Sequence, residues 1–429
     1  MEEAASPMRI GRSSEASLPS PESFHDPEEI LKTVLEPLER SRLYEYLNRL
    51  RELAAIHPTE LLHGRPGWVI TTHAHASEVL SNHSLISDAH NAEVFNIGPS
   101  GQHFFEMMKR TLLFIGPIDH ERQRRLISRF FTPRAVEKHR PRIEEAVSNL
   151  IDRAEDLGKF DLVEDLAYAL PTAVICELLG MPKSDLPIIH DWLGDFARRG
   201  DLSGITTDVV RKGEDATLGY IRYFTEQIKE RRVKPRSDLM SQIMQVEDED
   251  GGLRDEELVA IFTLMIQAGH ETTADMIGLG MLALLRHPDQ LERLRNDPTL
   301  ISNAVDEMLR YDGSNQLVQR VGVEDFELGG VTIPAGEVCG ILTGAANRDP
   351  LAFDHPDRLD IHRRNIRHFG FGGGNHICVG APLARIEIET MIRSLVERFP
   401  RLARVDEEPE YRTSLVLRGL KSMELIAAP

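Results

Sequence analysis

One cysteine stands in surroundings that equip it for chemistry. In "RHFGFGGGNHICVGAPLAR", Arg367 to Arg385, glycines at 370, 372, 373, 374 and 380 surround Cys378. Lacking Cβ atoms, they let the backbone turn tightly and approach a flat object closely. Ala381 to Arg385 then start a helix, with Pro382 tolerated because a first helical turn needs no intrahelical N–H donors. Cys378 is therefore expected beside free backbone N–H groups at a helix N-terminus, which lower a thiol pKa and hold a thiolate. A thiolate in a glycine cradle is a metal ligand or a nucleophile.

The same string excludes several uses. A dinucleotide loop requires G-x-G-x-x-G, but counting from Gly370 or Gly372 the last glycine falls on Asn375 or Ile377. No Gly-Lys-Ser/Thr phosphate loop and no converging zinc set of the Cys-x-x-Cys kind occurs. For a cysteine nucleophile the nearby sequence offers only His376 as a base. The remaining use is axial ligation of haem iron by a single thiolate, which pushes electron density toward O–O cleavage.

A second constellation is "IQAGHETTAD". Ala268 and Gly269 are small residues among large ones, as needed where a helix face meets a flat cofactor. Glu271 and Thr272 place a carboxylate beside a hydroxyl within an apolar helix. Thr272 is expected to return its hydroxyl to the Ala268 carbonyl, weakening one helical bond and opening a groove for water and protons. The plainer alternative makes Glu271 one half of a core-edge ion pair and leaves Thr272 satisfied by its own backbone. "HETTA" is not a zinc-peptidase motif, because Ala274 stands where the second histidine is required.

Phe371 to Gly380 resembles the haem-binding loop of the cytochrome P450 superfamily, Phe-Gly-x-Gly-x-His-x-Cys-x-Gly, with Phe371, Gly372, Gly374, His376, Cys378 and Gly380 all in place. "APLAR" is similar to the helix start of its soluble bacterial, ferredoxin-dependent members, and the likeness runs from about residue 66 to 426. The resemblance implies heme b with Cys378 as axial thiolate. It implies Glu271 and Thr272 as the acid and alcohol of the oxygen-activating motif, hence use of molecular oxygen rather than peroxide alone. His120, Arg124, Arg320 and His376 match propionate-binding positions. Glu307 and Arg310 match a buried pair that buttresses the cysteine loop, with Arg358 in "FDHPDRLDIHR" as the third member, after an "AANRDP" that also matches the family.

On that resemblance the chain is a monooxygenase that hydroxylates or epoxidises a hydrophobic small molecule of bacterial secondary metabolism, such as a terpenoid, steroid or macrolide. Desaturation, ring coupling or isomerisation on the same fold is the alternative. A non-catalytic haem sensor or carrier is disfavoured by the Glu271 and Thr272 pair. Pocket candidates are Leu264, Gln267, Asn315, Leu317, Val318, Leu415 and Val416, with segments 84–115 and 187–210.

The elements that must position these residues follow from hydrophobic period and breakers. Leucines from 35 to 53 predict helix over 27–62, and "GWVITTHAHASEVL" predicts a strand at 68–72 followed by a helix from His73. Helices are expected over 119–131, 134–154, 164–179, 183–197, 208–232, 236–246, 255–285, 289–295, 299–311 and 381–399, with short strands between 318 and 341 and a hairpin over 411–426. The long helix from Asp255 spans about 46 Å at 1.5 Å per residue. The expected class is mainly α with a small antiparallel β region, which the resemblance makes the triangular cytochrome P450 fold. Residues 1–27 are expected as a flexible arm and 28–429 as a single catalytic domain.

The 429 residues carry 50 Lys plus Arg against 69 Asp plus Glu, a formal charge of -19 that repels nucleic acid. Three widely spaced cysteines favour a reducing cytoplasm, and neither a membrane anchor nor a secretory signal is recognisable. The chain is expected to be a cytoplasmic monomer. Residues 120–142 nevertheless hold Arg122, Arg124, Arg125, Arg129, Arg134, Lys138, Arg140 and Arg142 against Glu121 and Glu137. This basic face suits an acidic electron donor. No flavin, nicotinamide or iron–sulfur motif is present, so electrons are expected from NAD(P)H through a ferredoxin reductase and ferredoxin.

Overall fold

The computed structural model describes residues 19–35, 40–61, 66–87, 96, 99–201, 205–248, 251–405, 408–414 and 416–428. Helices α1 (Pro27–Leu35) and α2 (Leu43–Leu53) turn Ile30, Leu31, Val34, Leu47 and Leu50 against Val69 and Leu342. The helix expected to Leu62 ends at Leu53. Ile56–Thr59 is instead strand β1, on a sheet edge where the missing N–H of Pro58 breaks no central ladder. The arm expected over residues 1–27 lies outside the described residues up to 18. From Pro19 onward the segment is docked: the Tyr46 hydroxyl donates to the Pro19 carbonyl at 2.8 Å, and Arg49 donates to Phe24 at 3.0 Å.

The chain continues through β2 (Gly67–Ile70), α3 (His73–Ser81), β3 (Leu85–Ile86), α4 (Gln102–Lys109), α5 (Pro117–Ser128), α6 (Pro133–Glu137), α7 (Arg140–Leu157) and β4 (Lys159–Asp161). A π-turn at Leu162–Ala167 leads into α8 (Ala169–Leu178), α9 (Leu186–Gly200), α10 (Thr207–Val233) and α11 (Leu239–Met244). After a short hairpin, β5 (Glu247–Asp248) with β6 (Gly251–Gly252), comes α12 (Asp255–Arg286). The rest is α13 (Pro288–Asn296), α14 (Ile301–Tyr311), β7 (Leu317–Gly322), β8 (Phe326–Leu328), β9 (Val331–Ile333), β10 (Val338–Leu342), α15 (Thr343–Asn347), α16 (Ala381–Arg398), β11 (Arg401–Arg404) and β12 (Glu424–Ala428).

The main sheet runs β1-β2-β10-β7-β3, and β11-β12-β4 forms a second. The main sheet is not purely antiparallel as expected, because β2 and β10 pair in parallel with Cys339 opposite Trp68. Gly329 and Gly330 (φ 58° and 83°) make the β8–β9 turn, where both central residues need positive φ.

Helix α12 is the axis of the molecule, packed against α8, α10, α14 and α16. Glu257 accepts the Arg254 amide at 2.8 Å and so caps its start. From Thr273 to Leu284 every residue is buried, which is why this stretch, apart from Thr273 and Asp275, is apolar all round rather than striped. No helix among the described residues is long and apolar enough to cross a membrane.

Candidate active site

The cysteine loop closes on itself and on α3. The Cys378 amide donates to the Phe371 carbonyl at 2.9 Å, and Gly372 and Gly374 take φ of 69° and 62°. A Cβ on Gly374 would overlap the Leu80 carbonyl oxygen, so only glycine lets the loop lie against α3. Cys176 and Cys339 are buried, and burial pushes both thiols up to about 12. Cys378 alone among the three is accessible.

The Gly380 and Ala381 amides and the Arg124 guanidinium draw the Cys378 pKa down, yet crowding by protein outweighs them and the thiol lies above its ordinary value. The expected lowering is therefore corrected. The residue keeps exposed surface, and a bound cation is what would ionise its thiol outright.

Mid-helix, α12 changes character. Leu264, Gln267, Ala268, Glu271 and Thr272, spaced three and four apart, are accessible between stretches that are otherwise buried. Thr272 donates its hydroxyl to the Ala268 carbonyl at 2.8 Å, and Gln267 donates to the Tyr220 hydroxyl at 2.9 Å. A Cβ on Gly269 would approach nothing nearer than Ile175 at 3.9 Å, and one on Gly380 nothing nearer than Cys378 Sγ at 3.9 Å. The protein's own packing thus does not require glycine at either place.

Beside the loop two guanidiniums, Arg124 and Arg320, stand with two imidazoles, and no carboxylate among the described residues pairs with them. His120 and His376 stack with ring centroids 3.9 Å apart, and Arg124 donates to the Ile377 carbonyl at 2.6 Å. Burial, reinforced by Arg124 and Arg320, depresses His120 to about 4; burial with Arg320, His120 and Arg124 depresses His376 to about 3. Arg320 is buried and lowered to about 10 by that burial, and among the described residues no carboxylate pairs with it. Buried charge of one sign calls for a dianionic partner. The two propionates of a haem fit this group, and the accessible thiol fits its iron.

Glu307 and Arg310 are fully buried on α14, joined at 2.7 and 2.8 Å. The third member of this cluster is Arg363, whose Nε donates to both Glu307 oxygens at 3.0 and 3.1 Å. Arg358 is corrected: its side chain is exposed, and it contributes only its carbonyl, which accepts from Arg310 and Arg363 at 3.2 Å. Arg310 also donates to the carbonyls of Asn347 and Pro356, and the Asn347 side chain accepts the Phe369 amide at 2.8 Å. The cluster thereby grips the strand of chain that enters the cysteine loop.

Other expectations divide. Glu271 is not a free acid: Arg412 bridges it to Asp275 one turn further along α12, as the plainer ion-pair alternative has it. Leu317 is core, packed with Val69 and Leu342, rather than pocket wall. Ser314 and Gln316 serve the protein itself, donating to Asp275 at 2.8 Å and to Tyr44 at 3.0 Å. Asn315, Val318 and Val416 remain partly accessible, and Leu415 lies outside the described residues.

Arg122 is drawn away from the basic face by Glu257 and Asp119, while Arg125, Arg129 and Arg134 are exposed. Sequence reasoning missed Glu387, a buried acid on α16 whose Oε2 has no partner among the described residues and whose pKa burial raises well above the usual range. It lies in a stretch of α16, 386–392, that is buried all round, and the alternation of Ile386, Glu387, Ile388 and Glu389 gave no sign of that. Glu214 of α10, also missed, accepts the amides of His103 and Phe104 at 2.9 and 3.1 Å and the His103 ring at 2.6 Å, capping α4.

Comparison with known proteins points to one family. The family model described as Cytochrome P450 matches residues 200–426. The chain is 35% identical over 390 residues to the 6-deoxyerythronolide B hydroxylase of Saccharopolyspora erythraea, covering 88% of this chain and 94% of that protein. It is 40% identical over 323 residues to the vitamin D(3) 25-hydroxylase of Pseudonocardia autotrophica, covering 74% and 78%. A crystal structure of P450BioI in complex with acyl carrier protein ligated to hexadec-9Z-enoic acid superposes with a TM-score of 0.84 at 33% identity, covering 90% of this chain and 99% of that one.

Proposed function

The chain belongs to the cytochrome P450 family, and from that premise we propose that Cys378 is the axial thiolate of its haem and that Glu271 and Thr272 manage protons at the reaction site. It is a haem-thiolate monooxygenase that acts with molecular oxygen on a hydrophobic substrate. When bound, haem supplies the reductive splitting of oxygen, one atom entering the substrate and the other leaving as water at the expense of two electrons and two protons. The observation that carries the assignment is the one accessible thiol lying beside the imidazoles of His120 and His376 and the guanidiniums of Arg124 and Arg320, which no carboxylate among the described residues pairs.

The chain's own residues do the rest. His120, Arg124, Arg320 and His376 would hold the propionates. Ala268 and Gly269 would leave room for the macrocycle beside α12. The Thr272 hydroxyl donates to the Ala268 carbonyl, which leaves its oxygen free to accept from a water that it would anchor in the groove. Leu264, Val318 and Val416 favour an apolar substrate, and a terpenoid, steroid or macrolide skeleton matches the hydrophobic substrates named for related hydroxylases. The reduced, carbon monoxide-bound spectrum tests haem-thiolate ligation, and product analysis with a surrogate ferredoxin and reductase tests oxygenation. A spectrum without thiolate character overturns the assignment.

Thr272→Ala is expected to keep substrate binding and divert electrons to hydrogen peroxide, because the water it fixes loses its anchor. Equal product per electron pair in wild type and variant would refute the role.

The electron donor is proposed to be an acidic ferredoxin docking on the face of Arg125, Arg129 and Arg134. Neither Arg129 nor Arg134 has an ion-pair partner among the described residues, so their fields act outward. Reversing both is expected to slow first-electron transfer, more so at low salt, with substrate affinity unchanged. Stopped-flow reduction across an ionic-strength series reads this; parallel salt slopes would move the partner elsewhere.

A further inference from the structure

Arg412 is shared between two carboxylates on successive turns of α12. Its Nη1 donates to Glu271 and its Nη2 to Asp275, while Nη1 also reaches the Tyr168 hydroxyl at 2.9 Å. Asp275 is buried and accepts a second bond from the Ser314 hydroxyl at 2.8 Å. The arrangement is tightly built: a Cβ on Gly419 would overlap the Asp275 carboxylate and crowd Arg412. One cation thus faces two acids, only one of which, Glu271, lies on the open face of the helix.

Resting on the reading of Glu271 and Thr272 as proton-handling groups, we propose that Asp275 is a positioning residue that competes with Glu271 for Arg412 and so sets how firmly the Glu271 carboxylate is held away from the Thr272 groove. Ionised, Asp275 draws the guanidinium toward itself and loosens Glu271. Protonated, it cedes Arg412, and Glu271 is pinned.

The groups around Asp275 make this balance titratable near neutrality. Burial raises Asp275 to about 7, with Glu271 adding to the rise and Arg412 and Ser314 opposing it. Three of the other neighbours are moved out of that range. His270, packed on Tyr168 at 5.0 Å, is held down to about 4 by burial, His190 and Arg412, and burial raises the Tyr168 phenol. Arg412 is raised by its two acids and stays charged. Since the folded Asp275 pKa exceeds its unfolded value, this group favours the fold below about pH 4 and gives that advantage up as pH rises through about 7.

The consequence falls on the fate of oxygen in the substrate-free holoenzyme supplied by NADPH, a reductase and a surrogate ferredoxin. Oxygen taking two electrons and two protons leaves as hydrogen peroxide, and oxygen taking four of each leaves as two waters. Delivery of protons through a mobile Glu271 favours water. In wild type the peroxide fraction should therefore fall as pH rises through about 7, following Asp275, whose protonated fraction drops about tenfold per pH unit above its midpoint.

The decisive variant is Asp275→Asn, which retains the shape and the Ser314 contact but cannot ionise, and should hold the peroxide fraction at its high, acidic-limit value across pH 6–9. A second, independent readout is the infrared carbonyl stretch of protonated Asp275, isolated from the band of buried Glu387 by combining the variants with Glu387→Gln. It should titrate near pH 7 in wild type, disappear in Asp275→Asn, and shift to a higher midpoint in Ser314→Ala, which removes a donor that favours the ionised form. Identical peroxide–pH profiles in wild type and Asp275→Asn, or an infrared band unmoved by both substitutions, would overturn the proposal. The infrared titration reports on Asp275 whether or not Cys378 binds haem, whereas the carbon monoxide spectrum reports on the haem ligand alone, so failure of either reading is distinguishable.

Discussion

Cys378→Ser is expected to remove the thiolate signature from the reduced carbon monoxide spectrum and to bring oxygenation below detection, with the chain still folded. Serine fits the same loop and can meet the same Gly380 and Ala381 amides that face the sulfur. A hydroxyl, however, is a hard and weakly acidic ligand, and it does not supply the electron density that a soft thiolate gives to iron. The loop keeps its shape because its geometry comes from Gly372, Gly374 and the Cys378 amide to Phe371 bond, none of which involves the side chain. The discriminating measurement pairs that spectrum with circular dichroism. A folded variant with an intact thiolate band would place the ligand at another cysteine, although Cys176 and Cys339 are both buried.

The second large effect belongs to Glu307→Gln. The carboxylate is completely buried and neutralises Arg310 while bonding Arg363 and the Asp360 amide. Taking away its charge leaves two guanidinium groups in the interior with one neutral acceptor between them. Breaking a buried pair in this way costs about 3–5 kcal/mol, a large part of the roughly 5–15 kcal/mol by which a typical native protein is stable. Arg310 and Arg363 hold the carbonyls at 347, 354, 355, 356 and 358, so the segment feeding the cysteine loop should loosen first. Purified variant protein should carry little haem and unfold at markedly lower urea. A stability within about 1 kcal/mol of wild type would mean the cluster is dispensable.

What could be read from the sequence was whatever the chemistry writes locally. The glycine spacing around Cys378 and the short Ala268-to-Thr272 string each carry their geometry within a dozen residues, and α12 ends within one residue of its expected end because His287-Pro288 stops it. What remained illegible depends on partners far along the chain. Glu271 meets Arg412, Asp275 meets Ser314, and Arg122 meets Glu257, pairs that no period or spacing encodes. Arg363 was overlooked in favour of Arg358 because both lie in one irregular stretch, where only the path of the backbone decides which side chain turns inward. The strand at Ile56–Thr59 was hidden by the leucine rhythm of α2 immediately before it, and its pairing with β2 is fixed by the sheet.

The cap that Glu214 places on α4 ties a short helix of the segment assigned to substrate binding to the long helix α10. Charge-assisted bonds to two backbone amides are each worth roughly 1.5–3 kcal/mol, and Arg199 of α9 lies over the Phe104 ring of α4 at 4.7 Å, so a second helix holds α4 as well. Parting α4 from α10 breaks both amide bonds at once, because one carboxylate holds them. Removing that carboxylate is therefore expected to release the start of α4 as a unit rather than bond by bond.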